Sequence, residues 1–271
     1  MTLELNRIYC MDCLEGMKQM SDKSVDLTVT SPPYNNLREY KGYSFNFEET
    51  AKELYRVTKD GGVVVWVVGD ATINGSETGT SFKQALYFKE IGFNLHDTMI
   101  YHRQGCFPMD EHYRYWQDFE YMFIFSKGKP LTFNPIKKKS SRKAGSKIHR
   151  RVLVENVKGK SLVSRTAHGN KSLSNVWHFD CGGNNCSTND KEAFGHPAIF
   201  PEELSENHIL SWSNEGDLVL DPFSGSGTTA KIAIINERQF IGFEISSEYC
   251  EIAEKRIKKA QEQGKISGWF E

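Results

Sequence analysis

Short runs of β-branched and apolar residues alternate along this chain with stretches in which apolar residues recur at helical spacing. The runs predict strands at residues 8–10, 25–29, 63–68, 94–101, 119–125, 218–220 and 240–245. Helices are predicted at 14–20, 81–89, 201–211 and 249–260, and another from residue 47 to a stop at 59–62. This alternation is typical of an α/β fold with a doubly wound, mostly parallel sheet, in which ligands bind at the carboxyl ends of the strands.

Two of the predicted helices indicate which face they bury. Residues Phe82, Ala85 and Leu86 share one face of the helix at 81–89, and we expect that face to be buried. The apolar face of the C-terminal helix comprises Tyr249, Ile252, Ala253, Ile257 and Ala260. We expect this last helix to cover the sheet and to contribute no chemistry.

A rigid loop follows the strand at 25–29, with the sequence Thr30-Ser31-Pro32-Pro33-Tyr34-Asn35. Each proline fixes its own φ and pushes the preceding residue towards an extended conformation, so the Ser31 hydroxyl and the nearby carbonyl groups point in set directions. Such an array of acceptors beside an aromatic ring suits a flat ligand that carries an amine, such as a nucleobase. A proline-rich turn after a core strand, with no ligand, is the alternative.

A second loop with candidate chemistry lies towards the C-terminus, with the sequence Asp221-Pro222-Phe223-Ser224-Gly225-Ser226-Gly227-Thr228. It follows the strand at 218–220, and a helix is predicted to begin near Gly227. Glycines let the backbone approach a ligand closely, and the acid at the strand end can bind a cationic or hydroxylated group. The next strand ends at Glu244, and an acid about 20 residues after a glycine turn typically binds a ribose diol in doubly wound sheets.

Together the two loops resemble those of the S-adenosylmethionine-dependent amino-methyltransferases of DNA. In that family Asp-Pro-Phe-x-Gly-Ser-Gly-Thr holds the cofactor and Ser/Asp-Pro-Pro-Tyr holds the target base. We call the loop at residues 30–35 the base loop. Because it precedes the glycine-rich loop in the sequence, the chain is similar to the circularly permuted β group of the family. Only the basic middle of the chain is unmatched. The resemblance implies a Rossmann-like methyltransferase fold, S-adenosyl-L-methionine as the cofactor, and methylation of an exocyclic amine on a base flipped out of double-stranded DNA.

The resemblance also assigns roles to individual residues. Those expected to act on the base are Ser31, Pro32, Pro33 and Tyr34. Those expected to bind the cofactor are Asp12, His196, Phe200, Asp221, Phe223, Gly225, Ser226, Gly227, Thr228 and Glu244. Asp12 would accept a hydrogen bond from the adenine amine of the cofactor, and an equally good interpretation is that it caps the helix that follows.

The identity of Ser31 bears on which base is methylated. In the resembling family this position is usually aspartate in enzymes that act on adenine, whereas serine is frequent in those that act on cytosine and also occurs in some that act on adenine. A neutral hydroxyl is a weaker acceptor than a carboxylate. Cytosine is also the smaller ring, which Tyr34 alone could cover. The loop therefore favours N4 of cytosine, with N6 of adenine as the alternative.

The regular alternation fails between residues 127 and 190, which we interpret as an insertion between the two halves of the domain, 1–126 and 191–271. From Lys127 to Lys171 the chain has 14 lysines and arginines and a single acid, Glu155, although its formal net charge is −1. Such a local excess predicts a polyanionic partner and a role in recognising the target sequence. An unstructured linker is the alternative, above all for residues 137–147.

The residues expected to contact DNA are basic and lie in this insertion or in the loop at 102–116. They are Arg103, Lys137, Lys138, Lys139, Arg142, Lys143, Lys147, Arg150 and Arg151. The loop at 102–116 interleaves basic and aromatic residues, which suits stacking and phosphate contact as well as packing on the sheet. Asp70, after the strand at 63–68, would line the cleft or lie in a solvated loop, and the second interpretation is favoured.

The composition of the 271-residue chain restricts its class. With 38% apolar residues it can form a large core, and it has neither a long apolar run nor a signal-like N-terminus, so we expect a soluble, cytoplasmic protein. Six scattered cysteines fit a reducing compartment. We expect no metal, although Cys181 and Cys186, flanked by His178 and His196, leave a zinc site as a less favoured alternative. A cognate restriction endonuclease is a candidate partner, and monomer and homodimer both remain open.

Three other functions account for the sequence less well than methylation of DNA does. A nucleotide hydrolase is disfavoured because residues 225–229, Gly-Ser-Gly-Thr-Thr, lack the Gly-Lys-Ser/Thr ending of a phosphate loop. A non-catalytic nucleic-acid-binding protein would leave Glu244 and the Ser-Pro-Pro-Tyr loop unexplained. Methylation of RNA or of a protein amide shares the acceptor chemistry, but the basic insertion and the permuted order favour DNA.

Overall fold

The structure, a computed structural model, describes residues 3–33, 46–104, 114–141, 143–153, 160–166, 169–180, 188, 190–195 and 199–267. The chain forms two compact units. The large unit comprises residues 1–134 and 175–271, and the small unit is Pro135–Ser174. The predicted insertion at 127–190 extends beyond the small unit on both sides.

The elements alternate along the large unit as the sequence predicts. The strands are β1 (Arg7–Cys10), β2 (Val25–Thr30), β3 (Thr58–Val68), β4 (Thr72–Ile73), β5 (Ser76–Glu77), β6 (Asn94–Gln104), β7 (Phe119–Ser126), β8 (Lys137–Lys139), β9 (Lys147–Leu153), β10 (Lys160–Thr166), β11 (Asn170–Ser172), β12 (Val176–Asp180), β13 (Leu218–Asp221) and β14 (Gln239–Glu244). The helices are α1 (Cys13–Met17), α2 (Phe47–Val57), α3 (Thr80–Glu90), α4 (Glu202–Trp212), α5 (Thr228–Ile235) and α6 (Ser247–Ser267), with a short 3₁₀ helix at Lys191–Gly195.

An eight-stranded sheet organises the large unit, in the order β1-β14-β13-β2-β3-β7-β6-β12. All neighbouring strands are parallel except at β7, which is antiparallel to both β3 and β6. Strands β2 and β13, which come from opposite halves of the chain, are adjacent at the centre of the sheet. The prediction of an α/β fold with a mostly parallel sheet is confirmed, and so is the return of residues 175–179 to the core, because β12 pairs with β6.

Strand β3 begins earlier than the sequence predicts, because it includes residues 59–62, where a helix stop was expected. Helix α2 ends at Val57, and the hydroxyl of Thr58 donates to the carbonyl of Leu54 at 2.6 Å. The N–H of Gly61 then donates to the carbonyl of Lys127 at 2.6 Å, and the N–H of Lys127 donates to the carbonyl of Gly62 at 3.1 Å. Pairing with the end of β7 therefore makes this glycine stretch part of the sheet.

The prediction that α3 buries the face with Phe82 and Leu86 is wrong. Phe82 and Leu86 are 49% and 65% exposed, whereas Gln84 and Phe88 are buried together with Ala85. The reason lies in the core, where the indole Nε1 of Trp66 donates to Oε1 of Gln84 at 2.9 Å. A hydrogen-bond acceptor offsets the cost of burying an indole N–H, and a helix turned to supply Gln84 exposes its larger apolar residues.

The C-terminal helix packs as the sequence predicts. Its residues Ala253, Ile257 and Ala260 are buried, and Tyr249 and Ile252 are partly buried. Among the described residues, no helix is long and apolar enough to span a membrane.

The small unit contains two antiparallel strand pairs. The strands of the inner pair, β9 and β10, lie in the sequence between those of the outer pair, β8 and β11. In the inner pair Lys147 of β9 lies opposite Thr166 of β10, and in the outer pair Lys138 of β8 lies opposite Lys171 of β11. Residues 137–139, for which a linker was the alternative, therefore belong to a strand, and their side chains are exposed.

Candidate cofactor and target-base site

The loops with candidate chemistry meet at one edge of the sheet because they follow the carboxyl ends of parallel strands. Thr30 ends β2, Asp221 ends β13 and Glu244 ends β14. Cys10, two residues before Asp12, lies opposite Glu244 in the pairing of β1 with β14. The fold thus brings the base loop and the glycine-rich loop at 221–228 to the same edge of the sheet, although they are far apart in sequence.

Asp221 is held by the strand that carries the base loop. The hydroxyl of Thr30 donates to Oδ1 of Asp221 at 2.7 Å, and the N–H of Phe223 donates to the same oxygen at 3.1 Å. Burial raises the pKa of Asp221 to about 6, although these bonds and one from the Thr229 hydroxyl act in the opposite direction. Sequence reasoning missed Thr30, which joins the two loops directly.

The turn between Asp221 and Thr228, which we call the cofactor loop, is fixed by backbone hydrogen bonds. The N–H of Ser224 donates to the carbonyl of Phe243 at 2.9 Å, and the N–H of Gly227 donates to the carbonyl of Ser224 at 2.7 Å. Gly225 and Gly227 have φ values of 50° and 75°, a conformation that favours glycine. A Cβ on Gly227 would lie 2.8 Å from the Cβ of Ala253. Both glycines are therefore required by the turn itself.

Glu244 completes the cofactor loop from the neighbouring strand. Its Oε2 accepts from the N–H of Gly225 and its Oε1 from the N–H of Ser246, each at 2.8 Å. Burial raises the pKa of Glu244, and the backbone donors partly offset this. Each carboxylate oxygen has a second lone pair, so the group can still accept from the hydroxyls of a ligand. Two acids thus flank a preformed glycine turn, an arrangement that fits a cofactor with a ribose and a cationic centre.

Asp12 caps α1, as one of its two interpretations predicts. Its Oδ1 accepts from the N–H of Leu14 at 2.8 Å and from that of Glu15 at 3.3 Å. Binding to a cofactor adenine stays a prediction for this residue. The cap engages one carboxylate oxygen and so does not conflict with it.

The remaining predicted cofactor residues are distributed around this edge. Ser226 and Thr228 are buried, and Phe223 is half-buried, with its ring centroid 6.2 Å from that of Trp66. Phe200, half-buried, lies two residues before α4. His196 lies outside the described residues.

The base loop is described as far as Pro33. Pro32 is buried, and Ser31 and Pro33 are half-buried directly after β2. Tyr34 lies outside the described residues, so its predicted stacking on the base stays a prediction.

Asp70 is not a solvated carboxylate, contrary to the favoured interpretation. It is buried, and its Oδ1 accepts from the hydroxyl of Thr78 and from the N–H of Ser81, both at 3.0 Å. Its Oδ2 also accepts from the hydroxyl of Ser81. Because Ser81 lies in the first turn of α3, Asp70 satisfies donors at the start of that helix.

The residues predicted to contact DNA fall into different environments. Lys137, Lys138, Lys139, Lys143 and Lys147 are exposed, and Arg150 and Arg151 lie in β9. Arg142 lies outside the described residues. Arg103 is partly buried; it donates to the carbonyl of Gln117 at 2.8 Å and lies 3.4 Å from Glu120.

Lys127 differs from the other lysines of the basic stretch. It is buried in the large unit, where its ammonium donates to the carbonyl of Tyr55 at 2.6 Å and to that of Thr58 at 3.0 Å. Burial lowers its pKa. Lys127 therefore supports the fold and is not part of a surface for phosphates.

A group of charges around the buried Arg256, next to the cofactor loop, was missed by the sequence analysis; its other members, Lys231, Asp190 and Glu202, are partly buried. Lys231 donates to Oδ2 of Asp190 at 2.7 Å and to Oε1 of Glu202 at 2.9 Å, and Arg256 donates to the same two oxygens at 3.1 and 2.7 Å. Burial raises the pKa of Asp190, but the two cations outweigh it and hold the pKa below its ordinary value. Position 256 lies three residues after Ala253 on the buried face of α6. An arginine at such a position predicts buried anionic partners, so the sequence does contain a sign of this group.

His178, a ligand in the less favoured alternative of a zinc site, contacts another histidine in the structure. Its Nδ1 lies 2.8 Å from Nδ1 of His102, whose Nε2 lies 3.0 Å from Oδ2 of Asp118. Within the described ranges no cluster of three or more histidine, cysteine or acidic side chains could hold a metal ion. Cys181, Cys186 and His196 are not among the described residues.

Comparison with known proteins identifies relatives over nearly the whole chain. A family model described as DNA methylase matches residues 25–255. The orphan methyltransferase M.BamHII of Bacillus amyloliquefaciens is 58% identical over 244 residues, which are 89% of this chain and 91% of the relative. The DNA adenine methyltransferase YhdJ of Escherichia coli (strain K12) is 30% identical over 259 residues, 95% of this chain and 84% of the relative.

Solved structures share the fold. The PvuII DNA methyltransferase, named as cytosine-N4-specific, has a TM-score of 0.69 at 21% identity over 96% of this chain and 92% of that one. A complex of M1.HpyAVI with SAM has a TM-score of 0.61 at 24% identity over 92% and 98% of the two chains. With a family model that covers most of its length and a relative of 58% identity, this chain belongs to the DNA methylase family, the S-adenosylmethionine-dependent amino-methyltransferases that its two loops resemble.

Proposed function

We propose that this DNA methyltransferase acts on N4 of cytosine. The observation that carries the proposal is Ser31, a neutral acceptor directly after β2 and next in the chain to Thr30, which pairs with Asp221. A hydroxyl in place of a carboxylate leaves more of the binding of the amine to the Pro32 carbonyl. The exocyclic amine of the small cytosine ring suits this pair of acceptors.

The cofactor is held between the ends of β13 and β14. When bound, S-adenosylmethionine supplies an activated methyl group, so the reaction needs no covalent enzyme intermediate. Glu244 accepts from the ribose hydroxyls with the lone pairs that its backbone donors leave free. Asp221, at the end of the neighbouring strand, would bind the cationic part of the cofactor, and Asp12 would bind its adenine amine.

The base loop orients the amine for transfer. The base reaches this edge only after it has been rotated out of the DNA stack. Ser31 and the Pro32 carbonyl then accept the two amine hydrogens, which increases electron density on nitrogen and turns its lone pair towards the cofactor. Tyr34 stacks on the ring and fixes its plane, and positioning of this kind provides a large part of the rate.

Analysis of modified nucleosides tests the base. The protein is incubated with DNA and labelled S-adenosylmethionine, and the DNA is digested and examined by mass spectrometry. We expect N4-methylcytosine. Ser31→Ala should lower the turnover number, whereas Ser76→Ala, which removes an exposed hydroxyl in β5, should not. N6-methyladenine without N4-methylcytosine would overturn the proposal, and full turnover in Ser31→Ala would remove Ser31 from its role.

N6 of adenine is the second candidate. The observation in its favour is the 30% identity to YhdJ, which is named as an adenine methyltransferase. The same acceptors would bind the adenine amine, so the two candidates differ only in the base identified by mass spectrometry. A cognate restriction endonuclease and the oligomeric state stay predictions.

A further inference from the structure

Arg256 is a fully buried cation on α6, a helix for which the sequence predicts no chemistry. Its side chain is 0% exposed. Two of its three nitrogens, Nε and Nη2, donate to the partly buried carboxylates of Asp190 and Glu202. A buried charge destabilises the fold unless it is paired and hydrogen-bonded, and two cations here face two carboxylates.

The third nitrogen, Nη1, contacts the cofactor loop. It donates to the carbonyl oxygen of Ser226 at 2.6 Å, to Oγ of Ser226 at 3.0 Å and to Oγ1 of Thr228 at 3.0 Å. The N–H of Gly227 meanwhile donates to the carbonyl of Ser224 at 2.7 Å. The peptide group between Ser226 and Gly227 is therefore held at both its C=O and its N–H. This is the point at which the turn enters α5, with Gly227 at φ 75°.

We propose that Arg256 is a positioning residue for S-adenosylmethionine, and that it acts through the Ser226–Gly227 peptide group and the Thr228 hydroxyl. The inference rests on the proposed cofactor site. Arginine suits this task because its planar fork serves the carboxylates and the loop at the same time, whereas a lysine ammonium is a compact point charge.

Substitution by lysine tests the inference with the least disturbance of the fold. Arg256→Lys keeps a positive charge at this buried position, but the lysine ammonium cannot reach the carboxylates and the cofactor loop together. The matched control is Lys231→Met, which removes the other cation bonded to Asp190 and Glu202. Within the described residues the Lys231 side chain bonds no atom of the cofactor loop.

The measurements are the thermal midpoint of each variant, its dissociation constant for S-adenosylmethionine by calorimetry, and the KM values for cofactor and DNA. We expect both variants to melt earlier than the parent. In Arg256→Lys the dissociation constant and the KM for the cofactor should rise by about tenfold or more, as for loss of a charged hydrogen bond, with an unchanged KM for DNA. The Lys231→Met variant should bind the cofactor with the same affinity as the parent protein.

Parental cofactor affinity in Arg256→Lys, or an equal loss in Lys231→Met, would overturn the inference, because the arginine would then be merely structural. Glu244→Ala separates this failure from failure of the cofactor site. If Glu244→Ala weakens binding and Arg256→Lys does not, the site stands and the role of Arg256 falls. If Glu244→Ala binds the cofactor like the parent, the site itself is misassigned.

Discussion

At the scale of single residues, Asp221 is a buried acid that binds its proton more tightly than an ordinary aspartate does. Its pKa of about 6 lies above the ordinary value of 3.8, and the largest cause is burial. Such a group stabilises the fold fully below pH 3.8, and this contribution is lost as the pH rises through 6. Above that pH the unliganded protein contains a charge that burial opposes. A cationic ligand beside the carboxylate would favour the charged form.

Asp221→Asn should therefore stabilise the protein without cofactor at neutral pH. Asparagine keeps an oxygen that accepts from Thr30 and Phe223, and it has no charge. We expect an advantage over the parent of up to about 3 kcal/mol at pH 7, from a shift of about two pKa units, shrinking to little at pH 4. Urea denaturation at a series of pH values measures it.

The control is the same substitution at Asp217, an acid directly before β13 that is only partly buried. An Asp221→Asn advantage that is equal at pH 4 and pH 7 would mean that the carboxyl group does not titrate in this range. The cofactor affinity of Asp221→Asn should fall, because its acceptor is no longer anionic.

At the scale of elements, the start of α3 depends on a residue outside the helix. Gly79, the N-cap residue, has no side chain to accept from the first helical N–H groups, and Asp70 accepts from Ser81 in its place. The acid belongs to the loop after β3, so it joins this loop to the helix. That role explains why a carboxylate near the predicted active edge is buried rather than solvated.

Asp70→Ala should destabilise the large unit by about 1–3 kcal/mol, because it removes a cap and leaves buried donors unpaired. Urea denaturation gives the change in free energy of unfolding. Glu77→Ala, which removes an exposed carboxylate from the neighbouring β5, is the matched control and should be close to neutral. A variant of parental stability with weakened cofactor binding would instead support the alternative interpretation, in which Asp70 lines the cleft.

At the scale of the whole molecule, the exposed lysines around β8 and the two loops with candidate chemistry belong to different compact units. The exposed lysines of β8 and its surroundings belong to the small unit, whereas the base and cofactor loops belong to the large unit. In the described part of the chain no carboxylate pairs with Lys137, Lys138 or Lys139. Lysines exposed in this way can neutralise phosphates and release counterions from DNA.

Replacing Lys137, Lys138, Lys139 and Lys143 by glutamine should weaken DNA binding and leave cofactor affinity unchanged. The slope of log affinity against log salt concentration should fall by about 0.9 for each phosphate that the protein no longer neutralises. Fluorescence anisotropy with labelled duplex at several salt concentrations measures the slope. Three exposed lysines of the large unit, Lys89, Lys255 and Lys258, serve as the control set. A slope equal to the parent's would exclude these lysines from binding phosphates.

The sequence by itself determined the fold class, the two loops and the order in which they occur. Strand and helix periodicity depends on neighbours a few residues apart, so it is readable along the chain, and a proline pair or a glycine turn has the same local geometry in any fold. This is why the sequence alone predicts β2, β13 and β14 and the acids at the ends of the last two.

Only the tertiary structure decided how the side chains between these loops are used. The burial of Asp70, the turned face of α3 and the bonds of Arg256 all depend on partners that are distant in sequence, such as Trp66 for Gln84 and Ser226 for Arg256. Helical spacing shows that position 256 faces inward but does not show which atoms it meets there. The physical reason is that a buried polar group is stabilised by a hydrogen bond, and its partner is set by which elements the fold brings together.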